Sequence, residues 1–257
     1  IICFLLSEQA GFEKSNHFVH LNLTNHKSIK MKKIILLLAL VISSNIVTSQ
    51  YCTFYEFEAE NPEIVVQTLS KMMDTEWAKK IAGSKTLFQY AFNGESEDTH
   101  VMQFCFPDEG AFQNFMLSFQ DSPLVKLLGE KLNSSINNVS DWLGTPAWYQ
   151  NDWSNDQVFM FWRMQVSDPE IYANAFVPFT KKMMKKMNIS NSMGLGIPIL
   201  GQSSFTHFVW AGAPDVETAL KRTKEMYADP EFAKFSKQVS GIRKVVNTRM
   251  MIRVLDF

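Results

Sequence analysis

The sequence contains an internal repeat, which constrains the fold more than any other feature of the chain. One ungapped offset of 107 residues places Thr99-His100 on Thr206-His207 and Pro62-Glu63-Ile64 on Pro169-Glu170-Ile171. The same offset matches Gly94, Pro123, Val139 and Pro107-Asp108 with identical residues. Because these matches fall at element boundaries in a single alignment, they indicate two copies of one unit. Two copies predict an internal pseudo-dimer, since a solenoid needs three or more.

Each copy is predicted to contain the same order of elements. Period-two alternation predicts a first strand at 53–59 and 158–166, followed by a helix that starts with a cap and a proline. Further strands are predicted at 86–92, 100–106 and 139–149, and at 193–200, 207–213 and 245–254, with a second helix before the last strand. Gly144-Thr145-Pro146 interrupts the strand at 139–149 and leaves its length open. The order β-α-β-β-α-β predicts an α+β fold of two tandem ferredoxin-like units, 50–150 and 151–257.

The segment at 31–49 has the pattern of a signal peptide. Met31-Lys32-Lys33 precedes an apolar run at 34–42, and Val47-Thr48-Ser49 supplies small residues for cleavage after Ser49. An uncleaved anchor is the alternative, but the run is about half of the roughly twenty residues that span a bilayer. Residues 1–30 are interpreted as an upstream segment that is not translated. We therefore expect an exported protein, periplasmic or extracellular in a bacterial envelope, with no membrane span after cleavage.

Composition and charge exclude several classes of protein. The chain has 25 basic and 26 acidic residues and a net charge of −1, so it has no basic field that would attract nucleic acid. Its 21 Phe and 14 Met residues predict a compact apolar interior. No pattern of cysteine and histidine spacing typical of a metal site is present, so no metal is predicted.

The end of the second copy resembles a known superfamily. The segment Tyr227-Ala228-Asp229-Pro230-Glu231-Phe232-Ala233-Lys234-Phe235, leading into Arg249-Met250-Met251-Ile252-Arg253-Val254, is similar to the end of dimeric α+β barrel domains. That superfamily includes the antibiotic biosynthesis monooxygenase-like proteins. The resemblance implies two ferredoxin-like sheets packed face to face into a barrel, with helices outside and a ligand cavity within. In a tandem fusion, one chain would form the whole barrel.

Polar residues alternate with apolar ones on the first strand of each copy. Glu56 and Glu58 share one face of their strand, and the offset places Arg163 and Gln165 on the equivalent face. If the apolar face packs against helices, these four side chains point into the barrel and could bind a ligand. The alternatives are a Glu56–Arg163 ion pair across the pseudo-twofold axis or a solvated sheet face, because buried charges need partners. Trp210 could stack on a planar ligand or belong to the core.

Histidines occupy equivalent positions in the two copies. His100 and His207 each follow a threonine at the start of the third strand. A histidine titrates near neutral pH, so either residue could act as a catalytic base. The alternative is a hydrogen bond that stabilises the adjoining turn.

Two cysteines remain after signal cleavage. Cys52 lies at the start of the first strand and Cys105 at the end of the third. These strands are antiparallel neighbours in the ferredoxin-like topology, which brings the two cysteines together. In an oxidising compartment we expect them to form a disulfide, the alternative being two separate buried thiols.

Three functions remain open from the sequence. The first is an exported protein that binds an apolar or aromatic small molecule between the two sheets, oriented by Glu56 and Arg163. The second, implied by the resemblance, is a cofactor-independent monooxygenase or isomerase; no motif requires a cofactor, and haem is left open. The third is a structural envelope protein with a filled barrel. A hollow interior would exclude the third function, and histidines facing it would favour the second. The chain is expected to be a monomer with an internal pseudo-dimer, or a homodimer.

Overall fold

The computed structural model describes residues 50–119, 122–202 and 204–257. The predicted signal peptide at 31–49 and the segment at 1–30 lie outside the described residues. The first repeat contains β1 (Tyr51–Ala59), α1 (Pro62–Met73), α2 (Glu76–Lys79), β2 (Ser84–Phe92), β3 (His100–Phe106), α3 (Glu109–Ser118), α4 (Pro123–Asn133) and β4 (Ile136–Gln150). The second contains β5 (Val158–Val166), α5 (Pro169–Lys186), β6 (Met193–Leu200), β7 (His207–Ala213), α6 (Val216–Ala228), α7 (Pro230–Val239) and β8 (Arg243–Asp256).

The helices begin where the sequence places caps. Asn61 precedes Pro62, and its side chain accepts a hydrogen bond from the backbone N–H of Ile64. Asp168 makes the equivalent bond to the N–H of Ile171 at the start of α5. A side chain that accepts one of the free N–H groups of the first turn stabilises a helix by about 1 kcal/mol. The same local chemistry therefore starts equivalent helices in both repeats.

The eight strands form a closed antiparallel barrel. Its strand order is β1-β3-β2-β8-β5-β7-β6-β4, so each repeat contributes a sheet of four strands. The sheets join where β8 pairs with β2 and where β4 pairs with β6. The last strand of each repeat thus bonds both its own sheet and the other sheet. This arrangement confirms the predicted α+β fold of two ferredoxin-like units in one pseudo-dimeric barrel.

Strand β4 differs from the sequence-based expectation because Gly144-Thr145-Pro146 does not interrupt it. It runs continuously for 15 residues, pairing with β1 as far as Gly144 and with β6 from Leu143 to Gln150. A register shift between Pro146 and Trp148 accommodates the proline, which has no N–H to donate. The residues that looked like a break are where the strand passes from one sheet to the other.

The two faces of the barrel wall have separate cores. The outer face of each sheet packs against helices, for example through Phe104 and Phe115 in the first repeat and Met164 and Phe176 in the second. The inner face carries a different, mainly aromatic cluster. Its central members are Phe54, Trp142, Phe161, Phe208 and Trp210.

Glycines on β6 make room for this aromatic interior. A Cβ atom built on Gly194 would lie 2.2 Å from the ring of Trp210, and one on Gly196 would lie 2.2 Å from the ring of Phe208. Neither position can carry a side chain without displacing a buried ring. The glycine-rich composition of β6 therefore follows from the close approach of these rings to its backbone.

A disulfide joins Cys52 and Cys105 inside the barrel wall. The two residues are directly opposite on β1 and β3, with Cα atoms 4.1 Å apart and an S–S distance of 2.04 Å. Both are buried. Within the described part of the chain, the helices are all too short or too polar to cross a membrane.

Candidate functional site

The barrel interior contains an ion pair between equivalent residues of the two repeats. Glu56 of β1 and Arg163 of β5 are separated by the repeat offset and bind each other through Oε1 and Nη2. Only 1% of the Glu56 side chain and 6% of the Arg163 side chain are exposed. The guanidinium also lies 4.9 Å from the ring centre of Phe205. This is the structural ion pair that the sequence offered as an alternative to a ligand role.

Three further residues extend this pair into a cluster. Arg249 of β8 bonds to Asp98 and lies 3.6 Å from Glu56. The hydroxyl of Tyr90 donates to Oε1 of Glu56 at 2.8 Å. Burial, reinforced by the charge of Glu56, raises the pKa of Tyr90 well above its ordinary value, so the phenol remains a donor. The two carboxylates and two guanidinium groups balance in charge, which leaves the cluster no net charge to offer a ligand.

The other two polar residues predicted to point inwards, Glu58 and Gln165, each lie one residue before the end of their strand. Glu58 accepts a hydrogen bond from the amide of Asn137 at 3.1 Å, and Gln165 donates to the backbone carbonyl of Ser204 at 2.6 Å. Both are half-buried. The structure thus separates Glu58 and Gln165 from the central cluster formed by Glu56 and Arg163.

Side chains fill most of the space between the two sheets. The cavity that remains measures about 50 Å³ and is lined mainly by aromatic residues, among them Phe159, Phe161, Trp153 and Trp210. Phe54 stacks on Trp142 with ring centres 3.9 Å apart. Trp210 packs edge-on against Trp153 at 5.9 Å. The ligand space predicted between the sheets is therefore occupied by core residues.

His100 and His207 lie on the outer face of the barrel wall, towards the helices. His100 is opposite Phe57 on β1, and its ring stacks on that residue at 5.9 Å. His207 is opposite Met164 on β5. Nδ1 of each ring is hydrogen-bonded to the hydroxyl of the preceding threonine, at 2.8 Å for Thr99 and 2.9 Å for Thr206. Neither imidazole faces the interior, where the sequence-based hypothesis needed a base.

The two histidines are expected to make stability depend on pH. Burial lowers the pKa of His100 and of His207 below the ordinary value of 6.5, so in acid the unfolded chain binds more protons than the folded protein. Their contribution is complete above pH 6.5 and is lost as the pH falls towards the folded pKa values. We expect the free energy of unfolding, measured in urea, to be lower at pH 5.5 than at pH 7.5. A His100→Gln/His207→Gln variant should lose most of this pH dependence, and an unchanged dependence would contradict the assignment.

A larger cavity lies outside the barrel, between the sheet of the second repeat and its helices. This helix-side cavity measures about 180 Å³. Its lining residues come from β5 to β8 and α5 to α7: Trp162, Met164, Tyr172, Phe176, Phe179, Thr180, Met193, Val209, Met226, Tyr227, Phe232, Phe235, Arg243 and Val245.

The first repeat has the equivalent cavity, but it is much smaller. It measures about 40 Å³. The repeat offset relates eight pairs of lining residues in the two cavities: Tyr55 and Trp162, Phe57 and Met164, Leu69 and Phe176, Met72 and Phe179, Met73 and Thr180, Met102 and Val209, Phe119 and Met226, and Ile136 and Arg243. The second repeat has therefore opened a space that the first repeat keeps closed.

Polar groups reach the helix-side cavity at several points. Nε1 of Trp162 donates to the hydroxyl of Tyr227 at 3.0 Å. Burial raises the pKa of Tyr172 to about 12, although the positive charge of Arg243 acts to lower it. The phenol is therefore protonated at neutral pH. The hydroxyl of Thr180 is fully buried and has no hydrogen-bond partner among the described residues. His207 approaches this region through Tyr172, with ring centres 6.2 Å apart.

Sequence reasoning did not identify this cavity. It assigned no role to Thr180 or Arg243. The available signal lay in the repeat itself, where Met73 and Ile136 correspond to Thr180 and Arg243. A change from apolar to polar at two positions that line the space between sheet and helices indicates that this space differs between the repeats.

The closed barrel of two ferredoxin-like units has the fold of the dimeric α+β barrel superfamily, which confirms the resemblance. A candidate monooxygenase from Lactobacillus acidophilus matches with a TM-score of 0.54 and 15% identity, over 81% of this chain and 95% of its own. An anthrone oxidase-like protein matches with a TM-score of 0.54 and 9% identity, over 82% and 93%. A candidate monooxygenase from Fusobacterium nucleatum matches with a TM-score of 0.51 and 12% identity, over 83% and 99%.

At these identities the three likenesses establish the fold alone. No protein-family model matches the sequence, and no curated protein sequence matches it. Function must therefore be argued from the residues of this chain, because one fold of this kind hosts many activities.

Proposed function

We propose that the protein is an exported binding protein that holds an apolar or aromatic small molecule in the helix-side cavity of the second repeat. The observation that carries this proposal is the volume of about 180 Å³ enclosed mainly by aromatic and methionine side chains. An engineered apolar cavity of about 150 Å³ is large enough to bind benzene. The interior cavity of about 50 Å³ falls well below that size.

Export is part of the same proposal. The signal pattern at 31–49 supports it, and the Cys52–Cys105 disulfide suits an oxidising compartment. Fractionation of the native host should place the processed chain, beginning at Gln50, outside the cytoplasm. Recovery of an unprocessed chain in the cytoplasm would contradict export and leave the binding proposal untouched.

Cinnamyl alcohol, an uncharged aromatic molecule, provides the direct test of binding. Residues 50–257 would be titrated with it by calorimetry and by NMR of the tryptophan indole N–H signals. We expect binding that shifts the signal of Trp162, whose Nε1 lies at the cavity wall. The Thr180→Met variant restores the bulkier residue of the first repeat and should weaken binding on the order of tenfold or more by filling the space.

The control variant is Trp210→Phe, which alters the barrel interior and leaves the helix-side cavity intact. It should bind cinnamyl alcohol as tightly as the natural sequence. If Trp210→Phe abolished binding while Thr180→Met had no effect, the ligand would occupy the interior and the proposed site would be wrong. Absence of any binding would favour the structural alternative with a filled barrel.

A second candidate function is cofactor-independent oxidation or isomerisation of the bound aromatic molecule. It is supported by His207, whose ring centre lies 6.2 Å from that of the cavity-lining Tyr172, and by fold neighbours described as candidate monooxygenases and as anthrone oxidase-like. An anthrone offers a suitable probe, since its methylene group becomes a carbonyl while dioxygen is reduced to water. Oxygen uptake that requires both anthrone and His207 would favour the enzyme. Binding without uptake would favour the binding protein.

A further inference from the structure

We propose that the ligand of the helix-side cavity is an aryl carboxylic acid, with its carboxylate held by Arg243 and its ring between the sheet and α5. This inference rests on the proposed function and adds the chemical class of the ligand. Arg243 occupies the position of Ile136, and Thr180 occupies the position of Met73, so the enlarged cavity gained a cation and a hydroxyl where the smaller one is apolar.

Arg243 is a cation that has no counter-ion in the part of the chain that the structure describes. No carboxylate of the described residues lies within 4.0 Å of its guanidinium, which makes a long contact of 3.5 Å to the hydroxyl of Ser236. Its Cζ atom lies 5.4 Å from the ring centre of Phe235, a residue that also lines the cavity. Because Arg243 is half-buried, it can contact both the apolar space and the solvent. A guanidinium in this setting matches a planar carboxylate, which it binds through two parallel hydrogen bonds.

The cavity walls between Arg243 and Thr180 suit an aromatic ring. Phe179 and Phe235 both line the cavity, and their rings stack on each other with centres 4.5 Å apart and an interplanar angle of 5°. Trp162 and Phe176 supply further aromatic surface on the sheet and on α5. Such walls favour a planar ring by offset or edge-on packing. An aliphatic chain would forgo that contribution.

Thr180 indicates a second polar group on the ligand. It follows Tyr172 by eight residues on α5, about 12 Å along the helix axis at a rise of about 1.5 Å per residue. Tyr172 lies next to Arg243, whose charge acts on its phenol, so Thr180 lies about two helical turns along α5 from the residue beside the guanidinium. Its buried hydroxyl has no partner among the described residues, and a hydroxyl on the far side of the ligand ring would satisfy it. The best match is therefore a hydroxyaryl acid of extended shape.

The test compares three ligands of the same skeleton: cinnamyl alcohol, cinnamate and 4-hydroxycinnamate. Each would be titrated calorimetrically into residues 50–257. We expect cinnamate to bind on the order of tenfold more tightly than the alcohol, because its charge pairs with Arg243. The 4-hydroxyl group should improve the affinity by about threefold to tenfold more through Thr180.

Matched variants separate these contributions. Arg243→Met should abolish the preference for cinnamate over the alcohol. Lys244→Met removes the same charge from the adjacent, exposed position of β8 and should leave the preference unchanged. Thr180→Val should remove only the gain from the 4-hydroxyl group.

The outcomes distinguish this inference from the proposed function. Equal binding of cinnamate and cinnamyl alcohol, with both shifting the indole signal of Trp162, would overturn the carboxylate assignment and leave the binding site standing. A preference lost equally in Arg243→Met and Lys244→Met would reveal general attraction by surface charge and would also overturn it. If none of the three ligands shifted the Trp162 signal, the proposed function itself would fail.

Discussion

Replacing Arg163 with methionine is expected to lower the free energy of unfolding by about 3–5 kcal/mol. The variant removes the guanidinium that binds Glu56 inside the barrel. Glu56 would then depend on Tyr90 and on Arg249, which is 3.6 Å away and already binds Asp98. The cluster would carry one uncompensated negative charge in a site that is almost fully buried. Urea unfolding of residues 50–257 measures the loss.

Two control variants test whether the loss of stability comes from the burial and the pairing of these charges. The exposed Lys182–Glu231 pair has an N–O distance of 2.8 Å, and Lys182→Met should cost far less than Arg163→Met because solvent screens an exposed pair. The double variant Glu56→Gln/Arg163→Met should lose less stability than the sum of the two single changes, because it removes both charges together. A loss below about 1 kcal/mol in Arg163→Met would show that the cluster does not depend on this pair.

The ion pair also bears on how the two repeats recognise each other. Glu56 and Arg163 occupy equivalent positions next to the pseudo-twofold axis. A barrel built from two first repeats would oppose two glutamates there, and one built from two second repeats would oppose two arginines. Like charges at this depth are strongly unfavourable. The divergence of the two copies therefore favours pairing between unlike repeats, as in the single-chain barrel.

Much of the fold could be predicted from the sequence because its signals are local. Strands β3, β5, β6 and β7 have the predicted bounds, since alternation and flanking turn residues define them. Helix starts follow caps such as Asn61 and Asp168. Strand β4 was harder because Gly144 and Pro146 resemble a turn in sequence. Only the neighbouring sheet, to which this segment passes, makes it continuous.

The candidate site could be predicted only in part, for a physical reason. The alternation of polar and apolar residues predicted that Glu56 and Arg163 lie on equivalent faces of their strands, and their opposite charges suggested an ion pair. Asp98 and Arg249 correspond to Phe205 and Trp142 in the other repeat, so the offset gave no indication that they would join the cluster. A cavity is set by the fit of many side chains, and no local pattern in the sequence reports its volume. The substitution of Thr180 for Met73 is informative only once both are known to face the same space.

Removing the Cys52–Cys105 disulfide is expected to lower the free energy of unfolding by about 4 kcal/mol. The bridge closes a loop of 53 residues, and a cross-link of that length restricts the unfolded chain by about this amount in the chain-entropy description. The Cys52→Ala/Cys105→Ala variant, compared with the natural sequence in urea, measures the effect. Since the bridge connects β1 to β3 within one sheet, ligand binding at the helix-side cavity of the other sheet should persist in the folded variant.

The reducing agent dithiothreitol provides the control for this prediction. It should shift the unfolding midpoint of the natural sequence towards that of the double alanine variant and leave the variant itself unchanged. Both cysteines are buried, so reduction should proceed mainly through unfolded molecules and become complete only near the transition. If the oxidised protein and the variant unfolded at the same urea concentration, the bridge would contribute no stability. The stability of the folded protein would then come from barrel closure and packing between the repeats, without a contribution from the disulfide.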